Sequence, residues 1–236
     1  MATLKLGTTT AITESSGVLT FAGGKLFHGM TSITATGATT WNKPSGVTAI
    51  MVYLTGGGGG GGSGGSSYNS QGSGGAGGTA IKWITSGIGS TETVTIGTGG
   101  PGGAATNNAI GTRGVTSSFG SHFTATGGHY GGTTAQFVAF GDSDRGNGIG
   151  GDINLFGGDG LIYQGGLSST DEAGGGVGGG SYWGSGGGAG ETAGTTGGRP
   201  GRAYGAGGGA GDANSNTTFG AGGAGKSGIC VIYMYK

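Results

Sequence analysis

Apolar residues along this chain gather into short runs separated by polar or glycine-rich stretches, and no run holds a helical spacing. The strongest, Thr48-Ala49-Ile50-Met51-Val52-Tyr53-Leu54, is apolar at alternate and intervening positions alike, which predicts a strand covered on both faces. The C-terminal Gly228-Ile229-Cys230-Val231-Ile232-Tyr233-Met234-Tyr235 has the same character. Shorter strands are predicted at Thr3 to Leu6, Gly17 to Phe21, Thr79 to Thr85, Thr91 to Ile96, Val115 to Phe119, Ser121 to Thr126 and Ala135 to Phe140. A doubly apolar terminal strand needs a partner. Its return to the sheet holding Ile50 and Val52 makes the region between them a compact excursion with anchored ends.

That region is interrupted by glycine blocks: 56–62, 74–78, 174–180, 184–190, 205–211 and 220–225. Glycine totals 70 of 236 residues, far above the usual share of about 7 %. Collagen is excluded, because the chain has 3 prolines and no unbroken Gly-X-Y register. A mostly helical protein is disfavoured by the cost of glycine in α-helices, roughly 1 kcal/mol per position, and by the scarcity of Leu, Glu and Lys. One glycine run reads as a linker, but a series of runs between anchored strands suits a different structure. Extended glycine helices of the polyproline-II kind make no internal hydrogen bonds and point their amides and carbonyls outward in three directions. Packed side by side, they satisfy one another, provided that no Cβ intervenes. The fold class expected is therefore all-β, a β-sandwich with a glycine-rich region packed as polyglycine-II helices and almost no α-helix.

Charge narrows the partners. Ten basic and ten acidic residues cancel, which removes the electrostatic footprint of a nucleic-acid binder. No apolar run is long enough for a membrane span, so no membrane insertion is expected, and the N-terminus lacks a secretion signal. Cys230 reads as a small buried hydrophobe. Gly220-Ala221-Gly222-Gly223-Ala224-Gly225-Lys226-Ser227 matches the phosphate-loop pattern. That motif needs a following helix whose N-terminus faces the phosphates, and here a strand follows. Gly61-Gly62-Ser63-Gly64-Gly65 matches the nucleophile elbow without a helix or a placed His/acid pair. His28, His122 and His129 lack ligand spacing. Asp142, Asp144 and Asn147 gather oxygen ligands of the kind calcium takes, but Ile153 stands where an EF-hand needs its last carboxylate, and a solvated turn is the favoured reading. No catalytic set, cofactor or metal is expected, and the protein is read as a non-enzyme.

Two domains are expected: residues 1–30, an attachment or oligomerisation segment, and residues 31–236, a glycine-rich head. The segment Thr39-Thr40-Trp41-Asn42-Lys43-Pro44-Ser45-Gly46-Val47, running through Leu54 into Gly56 to Gly62, resembles the opening of the glycine-rich domain at the ends of bacteriophage tail fibres. Later blocks resemble that family in order: Thr95 to Gly100, Ser118-Phe119-Gly120, Ala125 to Gly128, Gly150 to Leu155, Tyr204 to Gly209 and Gly225 to Tyr233. The resemblance implies a virion protein, made in the host cytoplasm, whose distal loops bind a bacterial surface receptor (a glycan or an outer-membrane protein) above a polyglycine platform. Its other partners would be virion tail or fibre proteins.

The sparse connectors then become the receptor-binding candidates: Tyr68, Asn69, Asn107, Asn108, Arg113, His129, Tyr130, Asp144, Arg145, Tyr163, Gln164, Arg202 and Tyr204. Tyr and Arg supply much of the energy of binding patches. Trp41, Trp83 and Trp183 border apolar or glycine stretches and read as core or platform-covering. A monomeric cap and a trimeric fibre both fit, and the thin apolar core favours a homotrimer, which would bury the N-terminal strands. A purely structural fibre subunit and an ice-binding glycine-helix bundle are the rival readings.

Overall fold

The computed structural model describes residues 2–6, 9–15, 18–21, 26–65, 71–132, 146–163, 175–190, 196–214 and 218–236. No α-helix occurs among them. At the N-terminus, β1 (Ala2–Leu6), β2 (Thr9–Ser15) and β3 (Val18–Phe21) form an antiparallel meander. Its register sets Leu4 opposite Ile12 and Ile12 opposite Phe21.

The body is a sandwich of two antiparallel sheets. Its first sheet contains β4 (Phe27–Ile33), β6 (Ala49–Thr55), β8 (Thr79–Ile84), β13 (Ile153–Leu155) and β17 (Ile229–Tyr235), in the order β13-β8-β6-β17-β4. The second contains β5 (Gly37–Asn42), β9 (Thr91–Ile96), β10 (Ser117–Phe119), β11 (Phe123–Ala125) and β12 (Gly148–Ile149), in the order β12-β11-β10-β9-β5. Four two-residue strands complete the set as two pairs: β7 (Gln71–Gly72) with β14 (Ile162–Tyr163), and β15 (Ala213–Asn214) with β16 (Thr218–Phe219).

The terminal strand returns as its composition requires: Ile229 to Tyr235 pair Thr55 to Ala49 without a break. Between the sheets lie Ile50, Val52, Leu54, Ile84, Cys230, Ile232 and Met234 from one side. Trp41, Val94, Ile96, Phe119 and Phe123 meet them from the other. Alternation explains the division of β6, whose Ile50, Val52 and Leu54 are fully buried while Met51 and Tyr53 are half-buried on the outer face. Phe27 to Met30 are part of β4, which pairs with β17 at the edge of the first sheet. Cys230 is buried, and burial drives its thiol well above its ordinary pKa. It is therefore expected to resist a thiol-reactive dye in the native protein and to label stoichiometrically after unfolding. Ready labelling of the native chain would contradict this packing.

At one end of the sandwich the strands run on into glycine. Residues 56–64 follow β6 and form the axis of a lattice. The amides of Gly56, Gly59 and Gly62 donate to Gly78, Gly75 and Gly72, and those of Gly57, Gly60 and Ser63 to Val115, Thr112 and Ala109. Those of Gly58, Gly61 and Gly64 donate to Lys226, Gly223 and Gly220. The carbonyls answer with the same period: Gly57 and Gly60 accept from Gly128 and Gly131, Gly58 and Gly61 from Gly100 and Gly103, and Gly59 and Gly62 from Gly208 and Gly211. All fifteen bonds measure 2.7–3.0 Å. A three-residue repeat of direction is the signature of a polyglycine-II helix, which rises about 3.1 Å per residue.

Six such helices therefore enclose the axis, alternately parallel and antiparallel to it: 72–78, 205–211, 220–226, 97–103, 109–115 and 126–131, each also bonded to the next. The strands dictate this alternation. Residues 97–103 and 126–131 leave β9 and β11, whereas 72–78, 109–115 and 220–226 enter β8, β10 and β17. Outside this ring, helices at 175–179, 186–190 and 196–201 also surround 205–211. At the junction Ser117 Oγ donates to the Thr55 carbonyl (2.8 Å) and accepts from the Gly97 amide (3.0 Å), tying the two sheets where strand becomes glycine helix.

Candidate functional site

The lattice places the connectors at two levels. At its far end, away from the sandwich, the turn 104–108 joins the helices 97–103 and 109–115. Ser63, fully buried at the top of the axis, holds that turn: its Oγ donates to the Thr106 carbonyl (2.6 Å) and accepts from the Ala109 amide (2.8 Å). The Asn108 amide donates to Gly64 (3.2 Å), and Asn108 takes a left-handed φ of 57°, which asparagine tolerates better than most residues. Asn107 is exposed and Asn108 half-buried. Tyr163 reaches the same end through β14, paired with Gln71.

Other candidates lie elsewhere. Arg113 is exposed on the flank of 109–115. His129 and Tyr130 sit on 126–131 with their rings stacked at 4.2 Å and His129 Nδ1 2.7 Å from the Tyr130 carbonyl. Arg202 and Tyr204 belong to the turn 201–205 at the sandwich end of the lattice. Tyr68, Asn69, Asp144, Arg145 and Gln164 lie outside the described residues, as do Asp142 and the strand expected over 135–140. The described candidates thus fall on the far end, the flank and the junction, and no single patch gathers those described.

The junction site is the most fully built. The turn 181–184 closes by reciprocal bonds between Ser181 and Gly184 (2.9 and 3.2 Å), with Gly184 at a φ of 143° that suits glycine. The Trp183 amide donates to Ser181 Oγ (3.2 Å), and its indole Nε1 donates to Thr55 Oγ1 (2.9 Å). Thr55 Oγ1 in turn lies 2.8 Å from Thr79 Oγ1, both residues being buried. The Ala203 amide donates to the Ser185 carbonyl (3.3 Å), coupling this turn to 201–205. Between them opens a groove of about 550 Å³ lined by Trp183, Gly184, Ser185, Arg202, Ala203 and Tyr204.

Aromatic rings continue from the groove onto the outer face of the first sheet. Tyr182 and Trp183 meet edge-on at 5.1 Å, and Tyr53 lies 6.0 Å from Tyr182 and 5.6 Å from Tyr233. Partial burial, with the Tyr182, Tyr233 and Tyr235 phenols adding to it, raises the Tyr53 pKa. Of the three tryptophans, Trp41 is core, Trp83 is exposed on this outer face, and Trp183 borders the groove. Sequence reasoning grouped Trp183 with the covering residues and gave Ser63 no structural role. A lone polar residue inside a glycine block was the available signal for the latter.

The phosphate-loop match at 220–227 has its amides engaged. Those of Gly220, Gly222, Gly223, Gly225 and Lys226 donate to Asp212, Gly103, Gly209, Gly100 and Ala206. Among the described residues, no cluster of three or more His, Cys, Asp or Glu side chains is arranged for a metal ion. No helix among them is long and apolar enough to cross a membrane.

A two-sheet sandwich whose strands continue into a hexagonal glycine lattice defines a glycine-rich β class. The chain belongs to the glycine-rich domain family, whose model matches residues 33–235. A search of curated proteins finds no match.

Proposed function

We propose that this protein is the receptor-binding component of a bacteriophage tail fibre, a non-enzymatic virion protein that adsorbs to a bacterial surface glycan or outer-membrane protein. The observation that carries the reading is polarity. The far end of the glycine lattice carries the turn with Asn107 and Asn108 and the short strand β14 with Tyr163. At the opposite end of the sandwich, β4 begins and β17 finishes, where Leu26 and Lys236 exchange backbone bonds of 3.1 and 2.9 Å. Recognition loops on a rigid support at one pole, and the N-terminal meander joining at the other, suit an adhesin held out from a virion. The order of motifs, which resembles that of phage fibre tips, adds to this.

Three strands stand on their own only through a shared apolar face, and a sheet of this size gains from further surface to pack upon. Association of three copies through it supplies that surface and attaches the head to its fibre. Purified protein is expected to coat permissive bacteria and to block phage adsorption in competition, and to sediment as a trimer. Failure to adsorb to any permissive host would favour a structural fibre subunit instead.

A further inference from the structure

We propose that the groove between the turns 181–185 and 201–205 is a binding site for an acidic saccharide, with Trp183 and Tyr204 as the stacking surface and Arg202 as the anion donor. The groove offers about 550 Å³ and is broadly open, so it suits a ligand lying across it with one face in water. Its walls are already in place: the indole is pinned through Nε1 to Thr55, and the Ala203–Ser185 bond fixes the two turns together. Binding therefore orders little protein, which lowers its entropic cost.

The lining chooses the ligand. A pyranose has one face of C–H groups that lies on an aromatic ring while its hydroxyls stay in water, and Trp and Tyr offer such amphipathic surfaces. Arg202 is exposed and has no hydrogen-bond or ion-pair partner among the described residues. Its planar fork of donors matches a carboxylate or phosphate in bidentate fashion. Lys226 is exposed on the adjoining helix 220–226. The turns that line the groove, 181–185 and 201–205, carry Arg202 and no Asp or Glu, so the charge at its walls favours an anion over a neutral or cationic guest. An open groove, rather than a closed pocket, admits one residue of a longer polymer. The site lies at the junction, apart from the turns at the lattice end. It rests on the adsorption reading for the source of its saccharide, though not for the binding itself.

The test uses the full chain, isotopically labelled, with the Trp183 indole assigned through Trp183→Phe. Sodium glucuronate, glucose 1-phosphate, methyl glucoside and inorganic phosphate are titrated separately. Glucuronate or glucose 1-phosphate is expected to shift the Trp183 indole and Tyr204 ring signals with a Kd on the order of 1 mM. Methyl glucoside and inorganic phosphate should bind at least about tenfold more weakly, a difference of about 1.4 kcal/mol. Arg202→Ala should remove the preference for the acidic sugar while leaving the melting temperature unchanged, and Tyr204→Ala should weaken both sugars. Absence of shifts with every compound, an unaltered preference in Arg202→Ala, or equal binding of inorganic phosphate alone would overturn the proposal. Bacterial adsorption is scored separately. Saccharide shifts without adsorption would retain this site and refute the fibre-tip reading, and adsorption without shifts would do the reverse.

Discussion

Alanine at Gly74 is expected to destabilise the protein by about 4 kcal/mol or more, whereas alanine at the next residue, Gly75, is expected to be tolerated. Both glycines lie in the same block, on the same helix of the lattice. A Cβ on Gly74 would overlap the carbonyl group of Gly59 on the axis, where only backbone is available to give way. The two helices would have to separate, stretching the bonds from Gly59 to Gly75 and from Gly74 to Gly208. A Cβ on Gly75 meets its nearest atoms, the His129 nitrogen and the Gly158 oxygen, at 3.5 and 3.6 Å, which is ordinary contact. Restricting the unfolded chain there adds about 0.4–1 kcal/mol of stability where the native conformation is compatible. For a domain of this size, the first change corresponds to a fall in melting temperature on the order of 10 °C. Thermal denaturation of the two variants side by side decides the matter. A flexible glycine linker would treat both alike, and equal effects would refute the packed lattice.

Phe119→Ala should cost about 3–5 kcal/mol, the range for removing a buried aromatic ring. Phe119 is fully buried on β10, 6.1 Å from the Trp41 ring and 5.8 Å from that of Phe123. It stands just beyond the Ser117 clasp, so the cavity opens where both sheets are joined to the glycine lattice. Phe156, also aromatic but 53 % exposed, gives the control: Phe156→Ala should change stability by no more than about 0.5 kcal/mol. Urea denaturation measures both. Similar midpoints for the two variants would show that the space between the sheets is not the protein's main apolar core.

Strands with apolar side chains on both faces declared themselves in the sequence. Ala49–Thr55 and Ile229–Tyr235 lie at the centre of their sheet, so burial on either side leaves no polar alternation to blur the pattern. Their pairing was also legible, because a terminal apolar strand has few other places to go. β4 and β5 were not legible. Phe27–Ile33 is an edge strand with Phe27 and Met30 exposed and Gly29 within it, and Gly37–Asn42 opens on a glycine with a φ of 90°. The lattice was readable in kind, since only glycine allows backbones to approach from every side. Its neighbour relations were not, because consecutive glycines carry nothing to distinguish one contact from another; strand direction settles them. The groove was half legible for the same reason. Arg202 and Tyr204 stood out as side chains in a glycine background, whereas their meeting with Trp183 depends on the hydrogen bond to Thr55 across 128 residues of chain.

The three-residue bonding period carries a consequence for how such a chain can vary in length. Removing one glycine from 56–64 would turn every later amide on that axis by about 120° toward the wrong neighbour, since the helix makes three residues per turn. Removing three restores every direction and shortens the helix by about 9 Å. The lattice thus counts its residues modulo three, while the turns that cap it can gain or lose residues one at a time. Length changes in the two regions obey different arithmetic, and the tips can change without disturbing the count beneath them.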